Sequence, residues 1–341
     1  MKKEELNKVC KKLSDPPKGI LAADESTNTI KKRFDQIGVE SNFENRRKYR
    51  ELLFKTESLS NFISGVILYE ETLRQKTSDN VLFPKFLMDN GIAPGIKVDT
   101  GAIPILSDTS EKITQGLDGL SDRLQEYSDL GAIFTKWRAI IDIDKDKNIP
   151  SDYSIDCNAF ILGRYARIVQ ESGMVPIVEP EVIMDGKHTI HDCYEITSKT
   201  LKKVFEQLSV HKVYLGGILL KPNMVISGSN CPEQASVNEV ASMTLKCLKE
   251  NVPEEVPGIV FLSGGQSNEL ATNHLNEMNK IKNSSSWNLS FSYGRALQQP
   301  SLNLWKGKEE KIVDSQLALI KRSKHNSNAT LGSYSSDHEN A

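Results

Sequence analysis

Short runs of apolar, often β-branched residues alternate along this chain with longer segments in which apolar positions recur every three or four residues. The short runs begin near Gly19 (GILAAD), Ile63 (ISGVILY), Ala93 (APGIKVD), Gly131 (GAIFTKWRAII), Met174 (MVPIVEPEV), Val213 (VYLGGILLKPN), Gly258 (GIVFLSGG) and Trp287 (WNLSFSYGRAL). A continuous apolar run bounded by turn residues reads as a strand buried on both faces, and strands separated by helical segments read as βα units of a parallel sheet. Successive starts lie 29 to 45 residues apart, room for a strand, a helix and two loops. Eight such units close a barrel, so the expected fold is α/β: one (β/α)8 TIM-barrel domain over residues 1–322.

The intervening segments carry helical spacing. Over 157–170 the stripe is Phe160, Ile161, Tyr165 and Ile168, with Gly173 as the stop; over 196–208 it is Leu201, Val204 and Leu208. Near the start, Leu6, Val9, Cys10 and Leu13 form an amphipathic stripe behind a mixed-charge opening, not the apolar core of a leader peptide. The last helix is expected over 302–322. Beyond it, 323–341 is rich in Ser, Asn and His and reads as a mobile tail with too little apolar surface to fold alone.

Composition narrows the function classes. With 38% hydrophobic and 26% charged residues in 341, the chain has ample material for a core. Lys and Arg number 43 against 45 Asp and Glu, a net charge of -2, so no global pull toward nucleic acid or a membrane surface is expected and any anion site must be local. No run of 18 apolar residues is present, which excludes membrane insertion as a helix. Five scattered cysteines without a CxxC pair read as reduced packing thiols, and the expected location is cytoplasmic.

In a barrel the reactive side chains belong at the carboxyl ends of the strands, and here those ends are heavily charged. Asp24 ends the first run, Lys97 and Asp99 the third, Lys136 and Arg138 the fourth, Glu179 and Glu181 the fifth, and Lys221 the sixth; Ser263-Gly264-Gly265 follows the seventh and Tyr293-Gly294-Arg295 the eighth. Acids and lysines converging on one rim suggest a catalytic constellation. Lys221 sits after an apolar strand and before Pro222, where burial or a neighbouring cation such as Lys136 would favour the neutral amine that attacks a carbonyl. Equally, a strand-end lysine can simply reach water along its stem. Glu179 and Glu181, two apart, share a face if the strand continues through Pro180; one with a raised pKa could shuttle protons while the other orients a lysine, or both could merely balance nearby cations. The last two Gly-containing loops lie where barrel enzymes often hold phosphate. His188 and His191 form HxxH without an obvious third ligand, so no metal is expected there.

The segments GILAADEST, ENRRKYRELLF, SGVILYEETLRQK, GIKVDTG, TQGLDGL, FTKWRA, MVPIVEPE, LLKPNMV, FLSGGQS and FSYGRALQ resemble the class I, Schiff-base-forming fructose-bisphosphate aldolases, from about Lys18 to about Arg322. The resemblance implies a TIM barrel, usually a homotetramer, that cleaves fructose 1,6-bisphosphate in glycolysis and gluconeogenesis without metal or other cofactor. It implies that Lys221 forms the Schiff base, that Asp24 takes the C4 hydroxyl proton, that Glu179 dehydrates the carbinolamine with help from Lys136, and that Glu181 holds the lysines. The C1 phosphate would meet Ser263, Gly264, Gly294 and Arg295, with Arg33 closing from the first loop; the far phosphate would meet Ser26, Lys97 and Arg138. Two departures stand out: Asn28-Thr29 replaces a Gly-Ser pair, and the chain ends Asp-His-Glu-Asn-Ala where animal members end in tyrosine, leaving Tyr334 as the candidate proton carrier. Other lysine-dependent barrel aldolases need not bind two phosphates, and the basic residues flanking both ends of the site favour the bisphosphate. Beyond sugar phosphates, the resemblance implies docking of actin or adhesin-type peptides as a second role, and no nucleic acid.

Overall fold

Among the described residues ten strands form, and eight of them close the barrel. In the computed structural model, which describes residues 2–282 and 286–339, the strands are β1 (Gly19–Ala23), β2 (Ile63–Leu68), β3 (Ala93–Lys97), β4 (Gly101–Pro104), β5 (Lys112–Gln115), β6 (Phe134–Ile141), β7 (Val175–Val182), β8 (Leu219–Leu220), β9 (Gly258–Phe261) and β10 (Asn288–Tyr293). The closed order is β1-β10-β9-β8-β7-β6-β3-β2, all parallel, while β4 and β5 make a separate antiparallel hairpin at the rim. Barrel strands come from every run that the apolar pattern marked. The sixth run is mostly not strand: it opens with a 3-10 turn at Leu215–Gly217 and leaves only two paired residues. Its glycines explain this, because a Cβ at Gly217 would lie 3.0 Å from Leu6 and from the Tyr214 ring. The segment is shaped to let the first helix pass.

That helix, Lys3–Ser14, plugs the amino end of the barrel. Leu6, Cys10 and Leu13 pack against Ile20, Ile67, Phe134, Val175, Ile177, Leu219 and Val260, the layer of inward side chains at that end. Removing side chains of this size from water is worth about 1.5 to 3 kcal/mol each. The layer fits because Phe134 is flanked by glycine: a Cβ at Gly95 would sit 2.3 Å from its ring. The outer helices start on polar caps, with the side chains of Ser26, Asn42, Ser151, Thr189, Ser236 and Ser267 each accepting a backbone N-H from the first turn.

Two readings of the pattern are corrected. In the helix Asp152–Glu171 the buried stripe is Ile155, Ala159, Leu162, Tyr165, Ala166 and Val169, whereas Phe160 is 47% exposed; the small residues Ala159 and Ala166 make the contact and a large apolar residue does not. At the other end, the helix expected over 302–322 is two helices, Arg295–Trp305 and Ile312–Thr330, with Lys306 and Gly307 at positive φ between them. The second continues past 322 into the segment assigned to a mobile tail. Its polar residues are used internally: Asn326 donates to the Arg322 carbonyl (2.9 Å) and accepts from Thr272 (2.9 Å), and Thr330 donates to the Ser327 carbonyl (2.7 Å). Polarity there marks buried hydrogen bonding, not exposure. Residues 340 and 341 lie outside the described residues. Among the described residues no helix is long and apolar enough to cross a membrane.

Candidate active site

The strand-end and loop residues picked from the sequence as catalytic or phosphate-binding, Tyr334 apart, line one cleft of about 810 Å³ at the carboxyl ends of the strands. Strand register brings them there. In the parallel pair β6 and β7, Lys136 and Arg138 share one face of β6, and Glu179 and Glu181 share one face of β7, which does run through Pro180. Asp24 follows β1 directly, Lys221 follows β8, Ser263 and Gly264 follow β9, and Gly294 begins the turn into the helix Arg295–Trp305.

At the centre, four buried charges alternate in sign. Lys136 Nζ lies 2.7 Å from Asp24 Oδ2 and 3.2 Å from Glu179 Oε2, and Lys221 Nζ lies 3.0 Å from Glu179 Oε1. Each side chain is at least 88% buried. Burial pushes the Glu179 carboxyl up, but the Lys136 and Lys221 charges outweigh it and hold the acid below its ordinary value. Asp24 is likewise raised by burial and lowered further by Lys136 and Lys221, leaving it well below the usual carboxylate range. For Lys136, burial lowers the pKa while Asp24, Glu179 and Asp99 raise it, and the net is strongly upward. Lys136 is therefore a permanent cation and Glu179 an ionised base in the resting site. Of the two readings of the acid pair, this favours for Glu179 a carboxylate that balances nearby cations over an acid with raised pKa: Glu179 touches two ammonium groups, and their combined field exceeds its desolvation.

Glu181 is placed differently from its expected role. Its Oε2 pairs with Arg138 Nε, so it holds the arginine and not the lysines. Lys97 is also already paired, with Asp99 Oδ1 at 2.6 Å and the Asp99 carbonyl at 2.8 Å. On this side of the cleft Ser26 and Thr29 bring their hydroxyls within 3.1 Å, so Thr29 supplies the hydroxyl that the departure from Gly-Ser seemed to put in question.

The opposite side is built around glycines. Gly264 and Gly265 have φ of +54° and +86°, a turn that L side chains resist, and a Cβ at Gly265 would lie 2.6 Å from the Arg295 guanidinium. Arg295 therefore lies across the bare backbone of the loop after β9. It has no ion-pair or hydrogen-bond partner among the described residues, unlike the Arg33, Arg138 and Lys97 charges. An unpaired guanidinium beside a glycine turn and a helix start suits an anion. Glu25, which the sequence reading passed over, also lines this half of the cleft, 2.5 Å from Arg33. Its signal was only its place beside Asp24.

Tyr334 is not in the cleft. It is 4% exposed, its hydroxyl donates to Glu339 (2.8 Å), its ring lies tilted against that of His325 with centroids 5.6 Å apart, and its N-H donates to Asn276 (2.9 Å) on an outer helix. Glu339 also receives Arg322. Tyr334→Phe should therefore leave kcat within about twofold and lower stability by about 1 kcal/mol, the net worth of one buried hydrogen bond, as read by denaturant titration. A large fall in kcat with unchanged stability would return Tyr334 to the reaction. Of the HxxH pair, His188 is buried and His191 exposed, and no group of three or more His, Cys, Asp or Glu among the described residues is placed to hold a metal ion.

The family described as "Fructose-bisphosphate aldolase class-I" is matched over residues 5–341. A probable fructose-bisphosphate aldolase class 1 of Xanthomonas campestris pv. campestris is 54% identical over 332 residues, covering 97% of this chain and 98% of its own. The fructose-bisphosphate aldolase of Dictyostelium discoideum is 50% identical over 335 residues, covering 98% and 94%. A solved structure of fructose-bisphosphate aldolase from Plasmodium falciparum, in a ternary complex with TRAP and a small-molecule inhibitor, superposes with a TM-score of 0.96 at 49% identity, covering 98% of this chain and 96% of that one.

Proposed function

The chain belongs to the class I fructose-bisphosphate aldolases, and from that premise we propose how its own side chains divide the cleavage of fructose 1,6-bisphosphate into dihydroxyacetone phosphate and glyceraldehyde 3-phosphate. The observation that carries the assignment is the Glu179 carboxylate lying between Lys221 at 3.0 Å and Lys136 at 3.2 Å.

In this reading Glu179 accepts a proton from Lys221, and the freed amine adds to the C2 carbonyl. Lys136, held cationic, stays protonated throughout and stabilises the negative charge that develops on the carbonyl oxygen. The oxyanion takes a proton from the newly bonded nitrogen to give the neutral carbinolamine, whose hydroxyl then takes the proton from Glu179 and leaves as water, and the resulting iminium faces the carboxylate so formed. The iminium draws the electron pair of the C3-C4 bond as Asp24, ionised and 2.7 Å from Lys136, accepts the C4 hydroxyl proton. An aldehyde leaves and an enamine remains on Lys221. Glu181 keeps Arg138 in place at the far-phosphate end, with Ser26, Thr29 and Lys97 beside it. Ser263, Gly264, Gly294 and Arg295, with Arg33, receive the C1 phosphate.

Arg295 tests the phosphate assignment. A charge-assisted contact of this type is worth about 1.5 to 3 kcal/mol, so Arg295→Ala should raise KM for the bisphosphate roughly 10- to 150-fold with a smaller change in kcat. An unchanged KM places the C1 phosphate elsewhere.

Assembly as a homotetramer and a cytosolic location, the latter carried in the name of an Arabidopsis thaliana relative at 50% identity, complete the proposal. The Plasmodium aldolase complex with TRAP supports a peptide-docking role beside catalysis, which charge reversal of rim lysines would separate from cleavage.

A further inference from the structure

Behind the C1-phosphate half lies a buried polar cluster centred on Glu25. The Glu25 carboxylate is gripped from two sides: Oε2 accepts from Arg50 Nη2 at 2.7 Å, and Oε1 accepts from Arg33 Nη1 at 2.5 Å and from Gln298 Nε2 at 2.9 Å. Gln298 Nε2 also donates to the Ala22 carbonyl (2.8 Å) at the end of β1, and its Oε1 accepts from Tyr49 (3.1 Å). The Arg50 and Glu25 side chains are 3% and 6% exposed, whereas that of Arg33 is 18% exposed and borders the cleft; Arg50 and Gln298 do not border it. The carboxylate also lies beside the anion loop, since a Cβ on Gly294 would be 3.8 Å from Glu25 Oε1.

An ionised carboxylate next to a phosphate site opposes phosphate binding, and a fold that only needed positive charge there would omit it. Glu25 is ionised: burial pushes its carboxyl up, and Arg33 and Arg50 bring it below the ordinary value. What the carboxylate supplies is aim. It holds Arg33 through Nη1 alone, and Nε and Nη2 of Arg33 have no hydrogen bond among the described residues. A guanidinium fixed at one corner presents its other donors in a set plane. From this geometry we infer that Arg50 and Gln298 are positioning residues for the C1 phosphate, acting at one remove by locking Glu25, which in turn orients Arg33 toward the Gly294 loop. Arg50 has a second task in the same arrangement: it neutralises Glu25 when Arg33 turns its charge to the substrate.

The inference rests on the phosphate role proposed for Arg33, and the test separates the two. Arg50→Lys keeps the buried charge and loses the planar fork; Gln298→Met keeps the volume and loses the donor to Glu25. Each should raise KM for fructose 1,6-bisphosphate, about tenfold for Arg50→Lys and less for Gln298→Met, with kcat within twofold, and should raise the inhibition constant of inorganic phosphate in parallel. In an Arg33→Ala background neither substitution should raise KM further, because their effect passes through Arg33. Gln298→Met carries the test alone if Arg50→Lys does not fold. If Arg33→Ala itself leaves KM unchanged, the phosphate role of Arg33 fails. If Arg33→Ala raises KM while both other substitutions leave it at the wild-type value, or raise it equally in the Arg33→Ala background, the inference is overturned and the role of Arg33 stands.

Discussion

Lys221→Met is expected to lower kcat for fructose 1,6-bisphosphate on the order of 10⁴-fold or more, because it removes the atom that forms the covalent bond and not merely a group that eases it. Borohydride added with dihydroxyacetone phosphate should inactivate the natural enzyme irreversibly, since hydride reduces an imine to a stable secondary amine. Peptide mapping should place the label on Lys221, and the Lys221→Met protein should take none. The environment explains why this lysine and not Lys136 is the nucleophile. Lys136 has carboxylates on both sides, Asp24 at 2.7 Å and Glu179 at 3.2 Å, and is held as a cation. Among the described residues Lys221 pairs with Glu179 alone. A label on Lys136, or substantial cleavage by the Lys221→Met protein, would overturn the assignment.

The barrel was legible because its strands are buried on both faces. Ile20, Leu21, Val66, Ile67, Val178 and Val260 are all fully covered, so their segments read as unbroken apolar runs that no other common architecture repeats eight times. The helices were read less well where the contact is made by small residues. Ala159 and Ala166 sit at the packed face of their helix, and a search for large apolar side chains settles on Phe160, which faces outward. The C-terminal helix failed for the opposite reason. Ser323, Asn326 and Thr330 look like tail composition, yet all three are buried, and Asn326 accepts a hydrogen bond from Thr272 that only the folded neighbouring helix supplies.

The site divides the same way. Strand-end position was enough to find Asp24, Lys136, Glu179 and Lys221, since backbone register alone brings them to one rim. Pairing was not readable. Two residues of alternation put Glu179 and Glu181 on one face, but which cation each one meets depends on the stagger between β6 and β7, where Arg138 lies opposite Glu179 in register yet pairs with Glu181. The pKa direction of Glu179 follows from that pairing, which is why the sequence left open whether the acid pair held a raised acid or carboxylates balancing nearby cations. Glu25, Arg50 and Gln298 are still harder to see. They come from three distant parts of the chain, and each alone looks like an ordinary surface residue; burial and mutual hydrogen bonding make them a unit.

The roles of Glu179 and Asp24 can be told apart by where in the cycle each loss appears. Glu179→Gln keeps the shape of the side chain but neither accepts a proton from Lys221 nor returns it to the carbinolamine, so kcat should fall roughly 10²- to 10⁴-fold, the usual worth of a positioned acid-base group. Borohydride trapping with dihydroxyacetone phosphate should slow along with it, because the imine itself forms late. Asp24→Asn should slow cleavage of the bisphosphate by a similar factor, yet trapping should proceed near the natural rate, since no C4 hydroxyl is present in dihydroxyacetone phosphate. The two substitutions also differ in what they leave buried. After Glu179→Gln, Lys221 loses its only ion-pair partner among the described residues while Lys136 keeps Asp24; after Asp24→Asn, Lys136 keeps Glu179. Removing one partner of a buried pair costs about 3 to 5 kcal/mol where nothing replaces it, so Glu179→Gln should show the larger drop in thermal midpoint. Equal slowing of trapping by both substitutions would show that Asp24 acts before the imine, and unimpaired trapping in Glu179→Gln would remove Glu179 from dehydration and leave Lys136 to do it.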